Sequence, residues 1–426
     1  MKFLIALGIT LLLLLCFWLL VNYPRFESDD AYIIYLASTQ EWYRFLYVPT
    51  VYQQLSAAHL TPLTVPFYSL IQGFFPFSAD AFFNTMVVLF GLWMLTCIIF
   101  LRIHFKLPDY YVVLFAVMIL SVASTGTILS RFYTSHYLLG GIFGMTSLIA
   151  FSYYNQTRRF IIYLVAVMLM LMALLSKEIL IAILPISFIL FLDNRPLAKK
   201  IFITCILVVV VYFIYRSYML GELIGGRAAG DGLRQGLTTI LETLPSFLEW
   251  YVNGRGLLLL ALTCTLFLSP QIVLIGLMFA AMLAAPALAA PHGFSHPELH
   301  ADRLFIASDF ALAATVTLGL ARWRLLERIH GHPAASTVLG IVAIAGFIGS
   351  LYQAYLYDTH ARNSLEYRIT RTIQAHQPIP DAIYVPENYL LGSMIVALKK
   401  YDPRLREVTA DCLEALKWED GNNLLF

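Results

Sequence analysis

The stretch DAFFNTMVVLFGLWMLTCIIFL, residues 80–101, carries one charged side chain, Asp80, and that at its first position. A helix rises about 1.5 Å per residue, and roughly 20 apolar residues cross the hydrocarbon core of a bilayer. This run is therefore long enough to span a membrane, and it is not alone. Further apolar runs lie near 3–21, 110–124, 134–152, 160–175, 178–192, 200–218, 256–269, 271–290, 304–321 and 335–356. The expectation is an all-α polytopic membrane protein of about eleven spans. Several runs are short, and those such as 110–124 are expected to be buried among neighbours or to stop below the interface.

Composition points the same way. Of the 426 residues, 60% are hydrophobic and 13% charged, where a soluble domain has about a quarter charged. With a mean hydropathy of +0.75, lipid is the matching solvent. A net charge of +2 lacks the bulk basic surface that nucleic acid requires, so no nucleic-acid partner is expected. Cys16, Cys97, Cys205, Cys264 and Cys412 are scattered without a C-x-x-C pair, which reads as small buried side chains rather than a disulfide or metal framework. Phe3 to Val21 lacks a small-x-small cleavage site and reads as a retained first span.

Orientation follows from basic residues in short loops. Arg102 with Lys106, Arg158 with Arg159, Arg195 with Lys199 and Lys200, and Arg322, Arg324 and Arg328 form compact basic loops. These are expected on the cytoplasmic side with the N-terminus, and an odd span count puts the C-terminus outside. The long polar segments 22–79, 219–255, 291–303 and 357–426 then share the outer face. In 22–79, Tyr32, Tyr35, Leu36, Thr39, Trp42, Tyr43 and Leu46 recur at helical spacing, predicting an amphipathic stripe at headgroup depth. Pro62 and Pro66 interrupt the apolar stretch 60–75, which reads as a re-entrant or surface helix. Residues 1–356 are read as the transmembrane domain. Residues 357–426 are read as a small α/β tail, with a strand at Ala382–Val385, a helix from about Asn388 to Lys400 and a further strand.

Four features carry candidate chemistry. Glu27-Ser-Asp29-Asp30 sets carboxylates at the outer end of the first span, where charge is costly; adjacent acids repel, which favours a general base, or they bind a divalent cation. His59, in His59-Leu-Thr-Pro-Leu63, closes the same segment. Lys177 and Glu178 form a charged pair between two apolar runs. Arg131, Arg216 and Arg303 stand singly at outer helix ends, and guanidinium forks match phosphate oxygens. Together they suit group transfer from a lipid phosphate to an acceptor outside.

Asp29-Asp30-Ala-Tyr-Ile, His59-x-Thr61-Pro62-Leu63, Ser176-Lys177-Glu178 and Arg303-Leu-Phe-Ile-Ala-Ser, in that order, resemble the GT-C membrane glycosyltransferases over Met1 to about Tyr357. The similarity is to the branch of protein O-mannosyltransferases and aminoarabinose transferases. It implies a GT-C-like helix bundle and a polyprenyl-phosphate-linked sugar donor. It implies as acceptor a glycan, glycolipid or protein at the extracytoplasmic face of a bacterial-type inner membrane. By the resemblance Asp29 is the base, Asp30 its support or a cation ligand, and Lys177, Arg216 and Arg303 hold the departing phosphate, with inversion at the anomeric carbon. No D-x-D triplet is present and the tail has no counterpart in the resemblance. A lipid-linked glycan flippase or an O-antigen polymerase or ligase is the alternative. The absence of a repeat and the outer-face placement of the ionisable residues speak against a flippase, and the early acids against a polymerase.

Overall fold

In the computed structural model the described residues are 8–15, 28–56, 59–76, 78–129, 131–221, 261–266 and 305–324, three short strands, and Trp18, Phe26, Leu268 and Ile348. Helix follows helix: α1 (Ser28–Thr39), a 3₁₀ turn (Trp42–Leu46), α2 (Pro49–Leu55), α3 (Thr64–Phe74), α4 (Ala79–Phe105), α5 (Asp109–Leu120) and α6 (Ala123–Leu129). After a 3₁₀ turn at Phe132–Thr134 come α7 (Ser135–Thr157), α8 (Phe160–Ser176), a 3₁₀ turn at Glu178–Ala182, α9 (Ile183–Ile189), α10 (Arg195–Leu220) and α11 (Ile306–Arg322). The strands β1 (Ala382–Tyr384), β2 (Glu407–Thr409) and β3 (Asn423–Leu425) pair in parallel with β1 central. The helix expected from Asn388 to Lys400 lies outside the described residues.

Among the described residues three helices are long and apolar enough to cross a membrane: Ala79–Phe105, Phe132–Thr157 and Arg195–Leu220. They coincide with the runs 80–101, 134–152 and 200–218. Asp109–Leu120, Phe160–Ser176 and Glu178–Ile189 are apolar but shorter, and 304–321 is covered by the 17-residue α11. The run 271–290, most of 3–21 and 335–356 and half of 256–269 lie outside the described residues. Local chemistry sets the helix ends. The Ser78 hydroxyl accepts from the Ala81 amide at 3.2 Å to start α4, and Asn194 accepts from Leu197 to start α10. Both α4 and α7 stop on a left-handed basic residue, Lys106 (φ 55°) and Arg158 (φ 57°), whose charge favours the negative end of the helix dipole.

Contacts sort the helix ends into two groups. At the basic end Arg102 pairs with Asp109, His104 Nδ1 lies 3.1 Å from Ser152 Oγ, and Asn194 donates to Asn155 at 2.7 Å. Tyr111 donates there to the Leu320 carbonyl at 2.9 Å. Lys200 is held over the Tyr163 ring at 3.8 Å and donates to the Tyr154 hydroxyl at 3.1 Å. The loops read from sequence as compact and basic are thus gathered together. Segment 28–76 packs at the opposite end, tied to the last turns of α10 by Tyr215 donating to Leu46 O (2.6 Å) and Gln53 to Met219 O (3.1 Å).

The outer stripe differs from expectation. Gln40 and Glu41 interrupt the helix, and α1 buries Ile33, Ile34 and Leu36 while Tyr32 and Tyr35 are half-buried. Trp42 and Tyr43 belong to the following turn, Tyr47 caps its end, and all three are exposed. The burial of three aliphatics outweighs the tyrosine periodicity, because tyrosine retains a polar tip that must reach water or a partner. The Pro-interrupted stretch forms α3. Its 11 residues reach only about 16 Å, too short to span, and Pro66 sits in the first turn, where its missing amide is not needed.

Helix α7 makes its closest approaches through glycine. A Cβ on Gly140 would lie 2.1 Å from Leu180 Cδ1, on Gly144 2.0 Å from Ile183 Cδ1, and on Gly141 2.3 Å from Trp93 Cε2. The spacing Gly140-x-x-x-Gly144 lets helix backbones approach, a standard device in lipid, where packing replaces the hydrophobic drive. The first two collisions involve flexible methyl ends. The third does not, because the Trp93 indole is stacked on Phe310 at 4.0 Å and 3°. Gly141→Ala is therefore expected to cost about 1–3 kcal/mol by overpacking. Thermal unfolding in detergent should show a lowered midpoint, and an unchanged midpoint would contradict the packing described.

Candidate active site

Asp29 and Asp30 occupy the first turn of a separate helix, α1, where unpaired backbone amides and the positive end of the dipole favour carboxylates. This gives a physical reason for their tolerance near lipid. Their environments differ: Asp29 is exposed and Asp30 wholly buried. The Tyr68 hydroxyl, from α3, donates to Asp30 Oδ1 at 2.5 Å. Burial, reinforced by the charge of Asp30, pushes the Tyr68 phenol well above its ordinary range. Tyr68 therefore remains a donor, and its ring is fixed edge-on against Phe132 at 4.7 Å.

Arg131 follows α6, is buried, and directs Nη1 to the Tyr133 hydroxyl at 3.3 Å. Phe132, between them in sequence, is the residue against which Tyr68 packs, so Arg131 and the Asp30–Tyr68 pair stand on adjoining elements. Lys177 caps α8 in extended conformation, with its ammonium over the Tyr137 ring at 5.2 Å.

Glu178 and Arg216 are partners of each other. Arg216, from the penultimate turn of α10, donates to Glu178 Oε1; the side chains are 7% and 23% exposed. The same Oε1 accepts from the Leu60 amide at 2.7 Å, and Oε2 faces His59 Nδ1 at 3.4 Å. His59 is half exposed, with its backbone held: its carbonyl accepts from the Tyr52 hydroxyl, and its amide donates to Ser56 Oγ at 2.9 Å. The Tyr52 oxygen also accepts from the Thr61 amide at 2.5 Å. Burial raises the Tyr52 phenol well out of its usual range, so it keeps the proton it donates. The expectation that Glu178 pairs with its neighbour Lys177 gives way to a pair with Arg216, 38 residues on. Lys177 is turned towards Tyr137.

Arg303 lies outside the described residues. Sequence reasoning passed over Tyr52, Tyr68 and Asp309. Asp309, in the first turn of α11, is fully buried and accepts from the Ser124 hydroxyl. Its signal was available as a carboxylate inside the apolar run 304–321, where ionisable residues are costly. A divalent cation at Asp29 and Asp30 would need more ligands. Among the described residues no three His, Cys, Asp or Glu side chains lie together as a metal site requires.

Removing one member of a buried ion pair strands the other, at a cost of about 3–5 kcal/mol. Arg216→Ala should therefore lower the thermal midpoint in detergent markedly, with Arg216→Lys less damaging. If the arginine served only to meet a bound phosphate, the ligand-free protein would melt as before.

No protein-family model matches the sequence, and no curated protein matches it.

Proposed function

We propose that this protein is a GT-C-type glycosyltransferase of a bacterial-type inner membrane. It moves a sugar from a polyprenyl-phosphate donor to a glycan, glycolipid or protein acceptor at the extracytoplasmic face. The observation that carries this reading is an exposed carboxylate, Asp29, next to a buried one, Asp30, whose orientation is set by Tyr68. The buried Arg131 stands on the element against which Tyr68 packs. The ordered resemblance of the motifs to GT-C enzymes agrees with it. In the reading the chain crosses the membrane about eleven times, with the gathered basic loops cytoplasmic and the tail 357–426 outside.

In the proposed reaction the acceptor hydroxyl oxygen attacks the anomeric carbon and gives its proton to Asp29. The bond from that carbon to the phosphate oxygen breaks, the configuration inverts, and polyprenyl phosphate leaves. Asp30, held by Tyr68, stands beside Asp29 and orients it. Lys177, Arg131 and Arg303 stabilise the phosphate as negative charge grows on it, an effect strongest in a partly dry cavity. Arg216 contributes less to the phosphate, because Glu178 already accepts from it, and Glu178 and His59 form the wall of the site.

The test is a gene deletion examined by mass spectrometry of surface glycans and glycoproteins, complemented with variants. The wild type should restore the lost mass. Asp29→Asn should be produced at normal level yet reduce transfer by about 10²–10⁴-fold, the usual contribution of a positioned base. Full restoration by Asp29→Asn would overturn the assignment.

A further inference from the structure

Residues 59–61 form a strap whose backbone is held by two side chains from outside it. Glu178 takes the Leu60 amide, and Tyr52 takes the Thr61 amide while donating to the His59 carbonyl. The Leu60 side chain is completely buried, in the cluster that contains Tyr52, Leu184, Tyr212 and Met219. The strap leads without a break into α3, since the Thr61 carbonyl accepts from the Thr64 amide at 3.0 Å and Thr64 is the first residue of that helix. Helix α3 has no side-chain cap of its own, so its origin is fixed by what holds the strap. Tyr68 lies four residues after Thr64, on the same face one turn later, and its hydroxyl meets Asp30.

We propose that Glu178 is a positioning residue for Asp30. Its carboxylate, held charged against Arg216, fixes the Leu60 amide and hence the start of α3, and through α3 it sets the Tyr68 hydroxyl that orients the buried acid. Charge-assisted hydrogen bonds of this type are about twice as strong as neutral ones, which makes Glu178 the stronger of the two anchors of this short uncapped helix. The consequence for function rests on Asp30 belonging to the active site, but the mechanical coupling does not. A failed glycan complementation would remove the first and leave the second intact.

The coupling is read with the full-length protein in detergent, using dicyclohexylcarbodiimide, an apolar reagent that adds to protonated carboxyl groups, with mass spectrometry locating the adducts. Hydrogen exchange reports the strap amides in parallel. Asp30 is closed off behind Tyr68, whereas Asp309 is equally buried but bonded to Ser124 on α6, so Asp309 serves as the internal reference. Glu178→Ala should speed exchange at Leu60 and raise adduct formation at Asp30 about fivefold, the opening expected from losing one hydrogen bond, with Asp309 unchanged. Glu178→Gln keeps an acceptor for the Leu60 amide and should restore most of the protection, which a role confined to pairing with Arg216 would not allow. If Glu178→Ala does not yield folded protein, Tyr52→Phe releases the same strap from its other side and should raise Asp30 labelling likewise. Faster strap exchange with unchanged Asp30 labelling would overturn the proposal, as would unchanged strap exchange or an equal rise at Asp309.

Discussion

A single carboxylate, Glu178, joins three parts of the chain that sequence keeps far apart: the strap at residues 59–61, the end of α8 and the last turns of α10. Segment 28–76 buries Ile33, Ile34, Leu36, Val65 and Tyr68 in the core, but its elements are short and leave many helix-end backbone groups to be bonded. Polar groups near lipid must be bonded or they cost several kcal/mol each. Glu178 and Tyr52 meet that constraint together by bonding three backbone groups of the strap, the His59 carbonyl and the Leu60 and Thr61 amides. Tyr32, Tyr215 and Tyr218 extend the pattern, each phenol donating to a backbone carbonyl: Gln54, Leu46 and Tyr47. The segment is thus fastened by tyrosine hydroxyls, with one ion pair at its centre.

The opposite end is built from different chemistry. Cations there are held by aromatic faces and by helix C-termini, as with Lys200 over Tyr163 and with Lys106 and Arg158 ending their helices. Such contacts fix the ends of helices at a polar boundary. The carboxylates buried among the described residues, Asp30 and Asp309, lie away from the basic end, and they accept from the Tyr68 and Ser124 hydroxyls respectively.

Much of the scaffold was legible because hydropathy is a local signal. Residues 80–101, 134–152 and 200–218 announce their helices by length and composition alone, and the clustered Lys and Arg residues mark the end on which loops gather. Asp29 and Asp30 stood out as charges beside an apolar run, and Pro24 with Ser28 before them was a readable signal of the new helix Ser28–Thr39. Tyr68 and Tyr52 could not be singled out among 25 tyrosines, because what distinguishes them is a partner brought near by folding. The pairing of Glu178 with Arg216 was missed for the same reason, as the adjacent Lys177 offered a simpler partner. Gly140-x-x-x-Gly144 and Asp309 are different, since the spacing and the intramembrane charge were both readable.

The central claim is that these elements assemble a site for a lipid phosphate beside two carboxylates. The most direct measurement compares the affinity of the purified protein for polyprenyl phosphate and for the corresponding uncharged polyprenol, in detergent at constant ionic strength. The account predicts at least about tenfold tighter binding of the phosphate, the margin that one charge-assisted hydrogen bond confers, and a loss of that margin in Lys177→Ala. Equal affinity for the two lipids would contradict it.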